Sequence, residues 1–370
     1  MLNVKLVEGP PQVVREYDED ELVDVLTDED VEVIREIFRT PLTGSYNWDY
    51  EDANAKIRKL YELGKRFNWD AQMDVDWDTP FPHTESPNAP EMNAFAGHPK
   101  YEALSEARKL EFAWRSQAQT LSQFMHGEQG AMLVASQLVS CAPTFDAKLY
   151  ASSQTFDEAR HVEVFHKYLV ERCKRIYPIN PNLKLLLDKV LTDERWDLKF
   201  IGMQILIEGL ALAAFQAMAM TTRDPLLRQI VQLVMRDEGR HVAFGVNYLE
   251  NWIRALPEQD IEERAQFAYE ACVIMRERLF NTEVAEEFGF TRDEAREINH
   301  NAAAGRAFRD FLFERMIPNL KRIGLLTESV RPKFEALGVL KFEDAVHDGL
   351  IDWATLEQPL PTKDHLLAAE

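Results

Sequence analysis

Two stretches of this sequence repeat the same acidic and imidazole residues, 80 positions apart. In each stretch a single glutamate is followed 30 residues later by Glu-x-x-His: Glu128 precedes Glu158 and His161, and Glu208 precedes Glu238 and His241. Residues three apart share a helix face, so each Glu-x-x-His pair points in one direction. Four helices that carry such residues inward build a carboxylate-bridged centre of two metal ions. The repeat therefore predicts a di-iron or di-manganese site.

The spacing also predicts that the ligands lie at one height. A turn near Pro143 is 15 residues from both Glu128 and Glu158, and a turn near Arg223 divides the second copy in the same way. With a rise of about 1.5 Å per residue, every ligand would lie roughly 22 Å from its turn. Two antiparallel hairpins would thus bring the side chains together inside one bundle.

Electrostatics supports bound cations. Four carboxylates in an apolar core are very unfavourable unless they are protonated, paired or coordinated. Oxygen-rich ligation with one imidazole per ion suits iron or manganese better than a cysteine-rich zinc or iron–sulfur site. Glu128 and Glu208 are also the candidate catalytic residues. The predicted ligands are Glu128, Glu158, His161, Glu208, Glu238 and His241.

The residues beside the ligands repeat as well, since both segments read Asp-Glu-x-Arg-His. We expect Asp157 and Asp237 each to accept the imidazole N–H of the opposite half, which would fix the orientation of the ring. Arg160 and Arg240 could each pair with an aspartate. One Glu-x-x-His segment would usually be a coincidence, but two copies with matched upstream glutamates are much more specific.

Composition indicates a large helical enzyme. The chain has 370 residues, 46% of them hydrophobic, and a net charge of −21. Such a chain can bury a large core, and its charge argues against nucleic-acid binding, which needs clustered Lys and Arg. The acidic segment at 16–30 is either a solvated arm or a docking site for a basic electron-transfer partner.

Localisation is predicted from several negative signals. We find no stretch of about 18 apolar residues that would span a membrane. The N-terminus lacks the basic and long apolar regions of a signal peptide. Three cysteines provide no disulfide framework, which agrees with a reducing compartment. The sequence therefore predicts a cytoplasmic protein that does not contact membranes.

The predicted fold is all-α, with four bundle helices at about 101–140, 143–176, 194–220 and 225–256. Additional helices are expected before the bundle, at 28–39 and 50–67, and after it, at 257–288, 291–323 and 328–337. Strands are scarcely indicated. We divide the chain into N-terminal helices and a Pro- and Trp-rich connector (1–98), the bundle (99–256), and C-terminal helices with a tail (257–370).

The ordered ligand set and its doubled Asp-Glu-x-Arg-His resemble those of the ferritin-like di-iron carboxylate oxygenases. The resemblance covers about residues 100–255 and is strongest to the bacterial multicomponent monooxygenase hydroxylases and the ribonucleotide reductase small subunit-like proteins. It implies a ferritin-like four-helix bundle, two iron ions or a Mn/Fe pair, and O2 as co-substrate. It also implies an electron-donor reductase or ferredoxin, and it leaves a homodimer open.

Three positions depart from these relatives. The ribonucleotide reductase small subunit has a tyrosine where this chain has Phe165, so a stored tyrosyl radical is not expected there. Arylamine N-oxygenases have a third histidine where this chain has Val234, which weakens an N-oxygenase interpretation. Many hydroxylases and desaturases have a threonine shortly after the third glutamate, whereas this chain has Ala211 and Leu212. The route of proton delivery is therefore not predicted.

Helical spacing places apolar side chains near the ligands and predicts an apolar cavity. The candidate pocket residues are Phe124, Phe165, Leu212, Phe215 and Phe244. Together these features predict an O2-dependent di-iron oxygenase or hydroxylase that acts on a small hydrophobic or aromatic substrate. The alternatives are a Mn/Fe ligand-binding oxidase, a desaturase, an N-oxygenase, and a non-enzymatic iron-binding ferritin-like protein.

Overall fold

The protein, in a computed structural model, is described at residues 14–16, 35–40, 43–51, 54–280 and 282–367. Most of the predicted acidic arm and residues 28–34 of the predicted first helix lie outside these ranges. Residues 35–39 are not helical, so the predicted end of that helix is wrong. Elsewhere the described chain is dominated by helices, and the prediction of an all-α fold is confirmed.

The helices before and within the bundle are α1 (Ala55–Arg66), α2 (Pro99–Glu102), α3 (Glu106–Cys141), α4 (Phe145–Tyr168), α5 (Pro181–Thr192), α6 (Trp196–Phe200), α7 (Glu208–Thr221) and α8 (Pro225–Arg254). Those after it are α9 (Glu258–Arg278), α10 (Glu283–Glu287), α11 (Arg292–Asn301), α12 (Ala303–Ile323), α13 (Arg331–Ala336), α14 (Trp353–Leu356) and α15 (Lys363–Leu367). Short 3₁₀ turns lie at Pro90–Met92 and Leu340–Phe342. The two-residue strands β1 (Arg15–Glu16) and β2 (Arg175–Ile176) pair antiparallel.

Helices α3 and α4 form the first ligand hairpin, and their local sequence explains its turn. Helix α3 ends at Cys141, and Ala142 and Thr144 take extended backbone angles. Proline cannot continue the helix, and the Thr144 side chain accepts a hydrogen bond from the backbone N–H of Ala147. The turn therefore lies at Pro143, where the spacing places it.

Helices α7 and α8 form the second hairpin, with Asp224 as the cap of α8 and Pro225 at its first position. The two hairpins are joined by repeat-related contacts. Tyr168 Oη donates to Asp224 Oδ2 at 2.7 Å, and the hydroxyls of Tyr248 and Thr144 hydrogen-bond at 2.9 Å. Each tyrosine at the end of one ligand helix thus contacts the cap of the other. These contacts set α4 and α8 antiparallel.

Two π-helical segments interrupt the predicted α-helices. Helix α4 ends at Tyr168 and continues as a π-helix over Leu169–Cys173, after which comes strand β2, so the predicted helical end at 176 is wrong. A second π-helix, Ile201–Ile207, joins α6 to α7. Helix α8 packs closely here, because a Cβ added at Gly245 would lie 2.5 Å from Gln204 Cβ. π-Helical turns occur frequently beside functional sites.

The stretch Trp196–Thr221 is long and apolar enough to cross a membrane by composition, with a mean hydropathy of 1.7 in its most apolar window. The expectation that no such stretch exists is therefore wrong. All of that window is buried inside the protein, so the stretch is a central helix of the bundle. Apolar residues of all three predicted segments, including Ile57, Leu206 and Leu320, share one core cluster. The division into domains stays a prediction.

Candidate metal centre

The six predicted ligands converge in the middle of the bundle. They fall into two groups of four, and within each group one ligand atom per residue lies within 4.8 Å of the others. Both groups contain Glu158 and Glu238. All six side chains are at most 5% exposed. The groups are Glu128, Glu158, His161 and Glu238, and Glu158, Glu208, Glu238 and His241.

Each imidazole points one nitrogen into the cluster and the other outward. His161 Nδ1 lies 3.2 Å from Glu158 Oε2 and 3.1 Å from Glu238 Oε1, and His241 Nδ1 lies 3.2 Å from both shared glutamates. The ring centroids of the two histidines are 6.0 Å apart. Both Nδ1 atoms thus face carboxylate oxygens, where either a proton or a metal ion must lie between them.

The outward nitrogens contact the aspartates of the opposite half. His161 Nε2 donates to Asp237 Oδ2 at 3.1 Å, and His241 Nε2 donates to Asp157 Oδ2 at 3.2 Å. Each aspartate therefore orients a ring and leaves its Nδ1 free to bind a metal ion. These contacts agree with the expectation from sequence.

Two buried arginines each form ion pairs with both of these aspartates. Arg160 Nη2 donates to Asp157 at 2.5 Å and to Asp237 at 3.0 Å. Arg240 Nη2 donates to Asp237 at 2.5 Å and to Asp157 at 3.1 Å. Two positive charges here balance two negative ones. The four glutamates of the cluster are left without a cation other than the imidazoles, and two divalent ions would neutralise them.

Without metal, burial and the neighbouring charges shift the pKa values of several residues of the cluster. Burial, reinforced by Glu238, raises the pKa of Glu128 well above its usual range, and burial, reinforced by Glu158, does the same for Glu208. Burial opposes a charged His161, but Asp237 and three glutamates raise its pKa well above the ordinary value. Protons thus compensate the carboxylates in the metal-free protein, at positions where cations would do so in the loaded one.

Both the donor set and one unpartnered atom fit a pair of metal ions. Glu238 Oε1 is buried and has no hydrogen-bond partner, although His161 Nδ1 lies 3.1 Å away. Oxygen and imidazole donors in a closed, dry site are the ligands that iron and manganese take. Two shared carboxylates between the groups are what a carboxylate-bridged pair requires.

A pair of buried amides closes one end of the cluster. Gln154 Nε2 donates to Glu158 Oε1 at 3.0 Å and to Glu208 Oε1 at 3.3 Å. Gln204, within the second π-helix, donates through Nε2 to Gln154 Oε1 at 3.3 Å. These hydrogen bonds hold two carboxylates in place. We name Gln154 and Gln204 the amide end.

Trp69 is a neighbour of the site that sequence reasoning missed. Its Nε1 donates to Asp237 Oδ2 at 2.8 Å, and its ring stacks on His161 with centroids 6.3 Å apart. The Arg160 guanidinium lies 4.9 Å from the same ring. The Pro- and Trp-rich connector was visible in the sequence, but no periodicity linked it to one aspartate.

A mostly apolar cavity of about 830 Å³ is lined in part by α3 and by the end of α7. Phe124, one turn before Glu128 on α3, is the lining residue of that helix closest in sequence to a ligand. Its ring lies 4.7 Å from Phe215 and 6.1 Å from Phe165, centroid to centroid. On their helices these three rings lie one or two turns from Glu128, His161 and Glu208, and we name the three packed rings the phenylalanine wall.

The predicted pocket residues do not all meet at this cavity. Phe124 lines it, whereas Phe165 and Phe215 are buried behind Phe124. Phe244 packs on Tyr150 with ring centroids 4.3 Å apart. Phe244 and Leu212 belong to the core cluster that contains Ile57, Leu206 and Leu320, whereas Phe165 and Phe215 belong to a second cluster. Neither Phe244 nor Leu212 lines this cavity, and their position beside a substrate stays a prediction. Helical spacing indicates closeness to a ligand, but not which end of the ligand cluster is open.

Comparison with known proteins agrees with this geometry. Residues 50–324 match the family described as P-aminobenzoate N-oxygenase AurF, which is well over half of the chain. The chain belongs to the AurF family. A search of curated protein sequences found no match.

Solved structures show that this AurF-family chain has the fold of the R2-like ligand-binding oxidases. A variant of such an oxidase with an aerobically reconstituted Mn/Fe cofactor superposes with a TM-score of 0.52 and 16% identity, over 75% of this chain and 95% of that one. The oxidase after photoconversion gives a TM-score of 0.51 with the same identity and coverage. At this identity the likeness concerns the fold, and it confirms the ferritin-like bundle.

Proposed function

We propose that this protein is an O2-dependent oxidoreductase that uses two metal ions to oxygenate a small, mostly apolar organic molecule. The observation that carries the proposal is the pair of buried four-residue groups that share Glu158 and Glu238. Two ferrous ions bound there would supply electrons to O2 and hold it beside the substrate. A Mn/Fe pair is the alternative cofactor, since the ligand types suit both metals.

The positions of the six side chains suggest their roles. The unshared residues of each group would be terminal ligands, and the shared glutamates would bridge. Glu128 and Glu208, one terminal carboxylate for each ion, would also be the catalytic residues. In this assignment Glu128 and His161 would hold one ion, Glu208 and His241 would hold the other, and Glu158 and Glu238 would contribute to both.

The surrounding residues would keep the chemistry local. Asp157 and Asp237 fix the rings, so each Nδ1 stays aimed at its ion. The phenylalanine wall excludes water on the cavity side, and the amide end restrains two carboxylates on the other. A dry, preorganised site strengthens the electrostatic interactions within it and limits side reactions.

The number of electrons that the reaction needs implies an electron-donor partner. Reduction of O2 to the level of water takes four electrons, and insertion of one oxygen atom into an organic molecule supplies two of them. The other two must come from a donor, so we propose that a reductase or ferredoxin serves this protein in the cytoplasm. A homodimer is the assembly that we propose to test by sedimentation.

The atom that accepts oxygen is the next question. The family takes its description from an N-oxygenase that acts on p-aminobenzoate, which favours an arylamine nitrogen. Arylamine N-oxygenases have a third histidine at the position of Val234, which is fully buried here, and its absence favours the carbon hydroxylation that the resemblance to hydroxylases implies. Product analysis separates the two, because ¹⁸O from labelled O2 would appear on nitrogen or on carbon.

The test is O2 consumption by ferrous-loaded protein with a chemical reductant and a panel of arylamines and unsubstituted arenes. The proposal predicts that at least one panel member accelerates O2 uptake and gains one ¹⁸O atom. Glu163→Ala, an exposed change on α4, is the matched control and should behave as the wild type. Iron uptake that is unaltered in the Glu128→Ala/His241→Ala double variant would contradict the proposal.

A further inference from the structure

A row of aromatic rings leads from one ligand histidine to the protein surface. Neighbouring centroids in the row are 4.3 to 5.7 Å apart, and its first ring lies 6.4 Å from the ring of His241. Its last ring is 40% exposed. We name these rings the aromatic row, which consists in order of Tyr150, Phe244, Tyr248, Trp196 and Trp252.

The phenylalanine wall and the aromatic row differ in how easily their rings are oxidised. Phenylalanine has no O–H or N–H to release and is very hard to oxidise. Tyrosine and tryptophan lose an electron far more readily when a proton leaves with it. The three rings of the wall therefore resist oxidation, whereas four of the five rings of the row can take part in it.

The row divides a long distance into short steps. Trp252 is 11 residues beyond His241 on α8, which is about 16 Å along the helix axis, and Tyr248 is about 10 Å from His241. Electron tunnelling slows exponentially with distance, so one step over the whole length would be much slower than several steps between rings in contact. Trp196, on α6, lies between the last two rings of α8.

Proton acceptors indicate which ring of the row can remain oxidised. Tyr150 Oη is buried without a hydrogen-bond partner, so nothing beside it takes its proton. Tyr248 Oη is paired with the Thr144 hydroxyl at 2.9 Å, which is not a base. Trp252 Nε1 donates to a carboxylate, Asp197 Oδ2, at 3.1 Å. Trp252 is therefore the ring that can release its proton when it loses an electron.

Two other oxidisable rings near the ligands lack these features. Trp69 lies 6.3 Å from the ring of His161, but the Arg160 guanidinium lies 4.9 Å from the Trp69 ring. A positive charge there opposes the removal of an electron. Tyr168, the repeat-related counterpart of Tyr248, is fully buried and stacks on no other ring of the described chain. No row of rings therefore extends from it to the surface.

We infer that the aromatic row carries electrons from Trp252 to the metal site when O2 is reduced there without an organic substrate. The inference rests on the proposed function for the reaction with O2. Two ferrous ions supply two of the four electrons that reduce O2 to water, so two are missing, and the four protons come from the solvent. Trp252 gives one electron to the site and its Nε1 proton to Asp197, and it becomes a neutral indolyl radical.

An external reductant completes the cycle. A one-electron donor in solution, such as ascorbate, returns the electron to the indole, and the proton returns from Asp197. A second passage through the row supplies the other missing electron. The row thus protects the buried ligands from oxidation, and Trp252 is the residue that becomes damaged when no reductant is present.

The first measurement is EPR spectroscopy of ferrous-loaded full chain, mixed with O2 without an organic substrate and frozen at set times. The wild type should show an indolyl radical whose signal changes when its tryptophans are ring-deuterated, and Trp252→Phe should lose that signal. Tyr248→Leu should lose most of it. Tyr168→Leu is the matched control, since it also removes a hydroxyl bond between the two hairpins, and it should keep the signal.

The second measurement is peptide mass spectrometry after repeated aerobic cycles. Oxygenated tryptophan should accumulate at Trp252, and ascorbate should suppress it. Trp48 is an internal control, because it is 73% exposed and belongs to no row that leads to the ligands. Peroxide released into solution would modify Trp48 at least as much as Trp252.

Three results would overturn the inference. These are the absence of a tryptophan radical in a wild type that binds two irons and consumes O2, a radical that is lost in Tyr168→Leu but kept in Tyr248→Leu, and oxygenation of Trp48 at least equal to that of Trp252. Iron content and O2 uptake are measured on the same samples. A chain that binds no iron or consumes no O2 contradicts the proposed function, and the inference falls with it.

Discussion

The two ends of the ligand cluster differ, although the repeat relates them. Gln154 and Gln204 lie one turn before Glu158 and Glu208 and hydrogen-bond at the amide end. The positions 80 residues away from them are Val234 and Phe124, and these pack in the same apolar cluster as Phe165 and Phe215. The duplicated ligands are thus symmetric, but their surroundings are not. One end holds carboxylates in place, and the other separates them from a cavity.

This difference indicates which end of the cluster stabilises metal binding and which end offers a surface to an organic molecule. Hydrogen bonds at the amide end reduce the freedom of two ligands, which favours tight metal binding. The apolar end makes no such bonds and instead provides a dry surface against which an organic molecule can pack. A symmetric site with amides at both ends would bind metal but offer no apolar approach to it.

The largest effect is expected at the aspartates, where the two halves can be compared directly. Asp237→Asn and Asp157→Asn each leave two buried arginines short of one negative charge, which should cost about 3–5 kcal/mol of the free energy of unfolding. Asp237→Asn should be the more destabilising, because Asp237 Oδ2 accepts from Trp69, Arg160 and His161, and a neutral amide oxygen accepts these bonds more weakly than a carboxylate. Urea unfolding of the metal-free proteins measures both. Losses below about 1 kcal/mol in both variants would refute the charge balance that we describe.

Within the phenylalanine wall, Phe215 is packed on all sides, whereas Phe124 also faces the cavity. Phe215→Ala should cost about 3–5 kcal/mol of the free energy of unfolding, because the ring is fully buried. Phe124→Ala should cost clearly less, since one side of Phe124 faces the cavity and already lacks packing neighbours. The same urea titrations report on these variants. Equal losses would mean that Phe124 is packed as a core residue and is not part of the cavity surface.

The amide end should matter for metal affinity, and its repeat-related position should not. Gln154→Leu removes hydrogen bonds to Glu158 and Glu208, so ferrous affinity should fall about 10- to 100-fold. Val234→Ala, at the equivalent position of the other half, should change affinity far less because Val234 has no polar atom in its side chain. Competition with a colour-forming chelator gives both affinities. If the two variants lose affinity equally, the proposed difference between the ends is wrong.

The smallest effect concerns the tryptophan that breaks the symmetry outside the cluster. Trp69→Phe keeps an aromatic ring beside His161 but removes the hydrogen bond to Asp237, which should cost about 1 kcal/mol of the free energy of unfolding. Trp77→Phe is the control for removing an indole N–H elsewhere in the same connector, since it loses a hydrogen bond to the backbone oxygen of Ala71 and not to Asp237. An Asp237→Ala variant, which lacks the acceptor, should show no further loss on adding Trp69→Phe. An additive loss would show that Trp69 acts elsewhere.

Much of the fold and of the ligand cluster follows from the sequence, because both depend on local periodicity. Glu-x-x-His on a helix specifies a shared face, and Pro143 marks a turn that proline chemistry enforces. The cross-half bonds of Asp157 and Asp237 follow from the same repeat, since residues that precede the ligands by one position lie beside them.

The remaining features depend on long-range packing and could not be read from periodicity. The π-helix at Ile201–Ile207 has Gln204 as its one polar residue, so no alternation of polar and apolar residues shows a change in helical pitch. The open end of the cluster depends on how α10–α12 pack against α3 and α7, a contact between distant parts of the chain. For the same reason helical spacing did not show that Phe244 packs against Tyr150 and does not line the cavity.

The most direct test of the central claim is the number of iron ions that each chain retains after anaerobic ferrous loading and desalting. The arrangement predicts two ions in the wild type, about one in Glu128→Ala, and almost none in Glu158→Ala, because Glu158 belongs to both groups of ligands whereas Glu128 belongs to one. A wild type that retains one ion or none, or equal retention in the two variants, would contradict a carboxylate-bridged pair at this site.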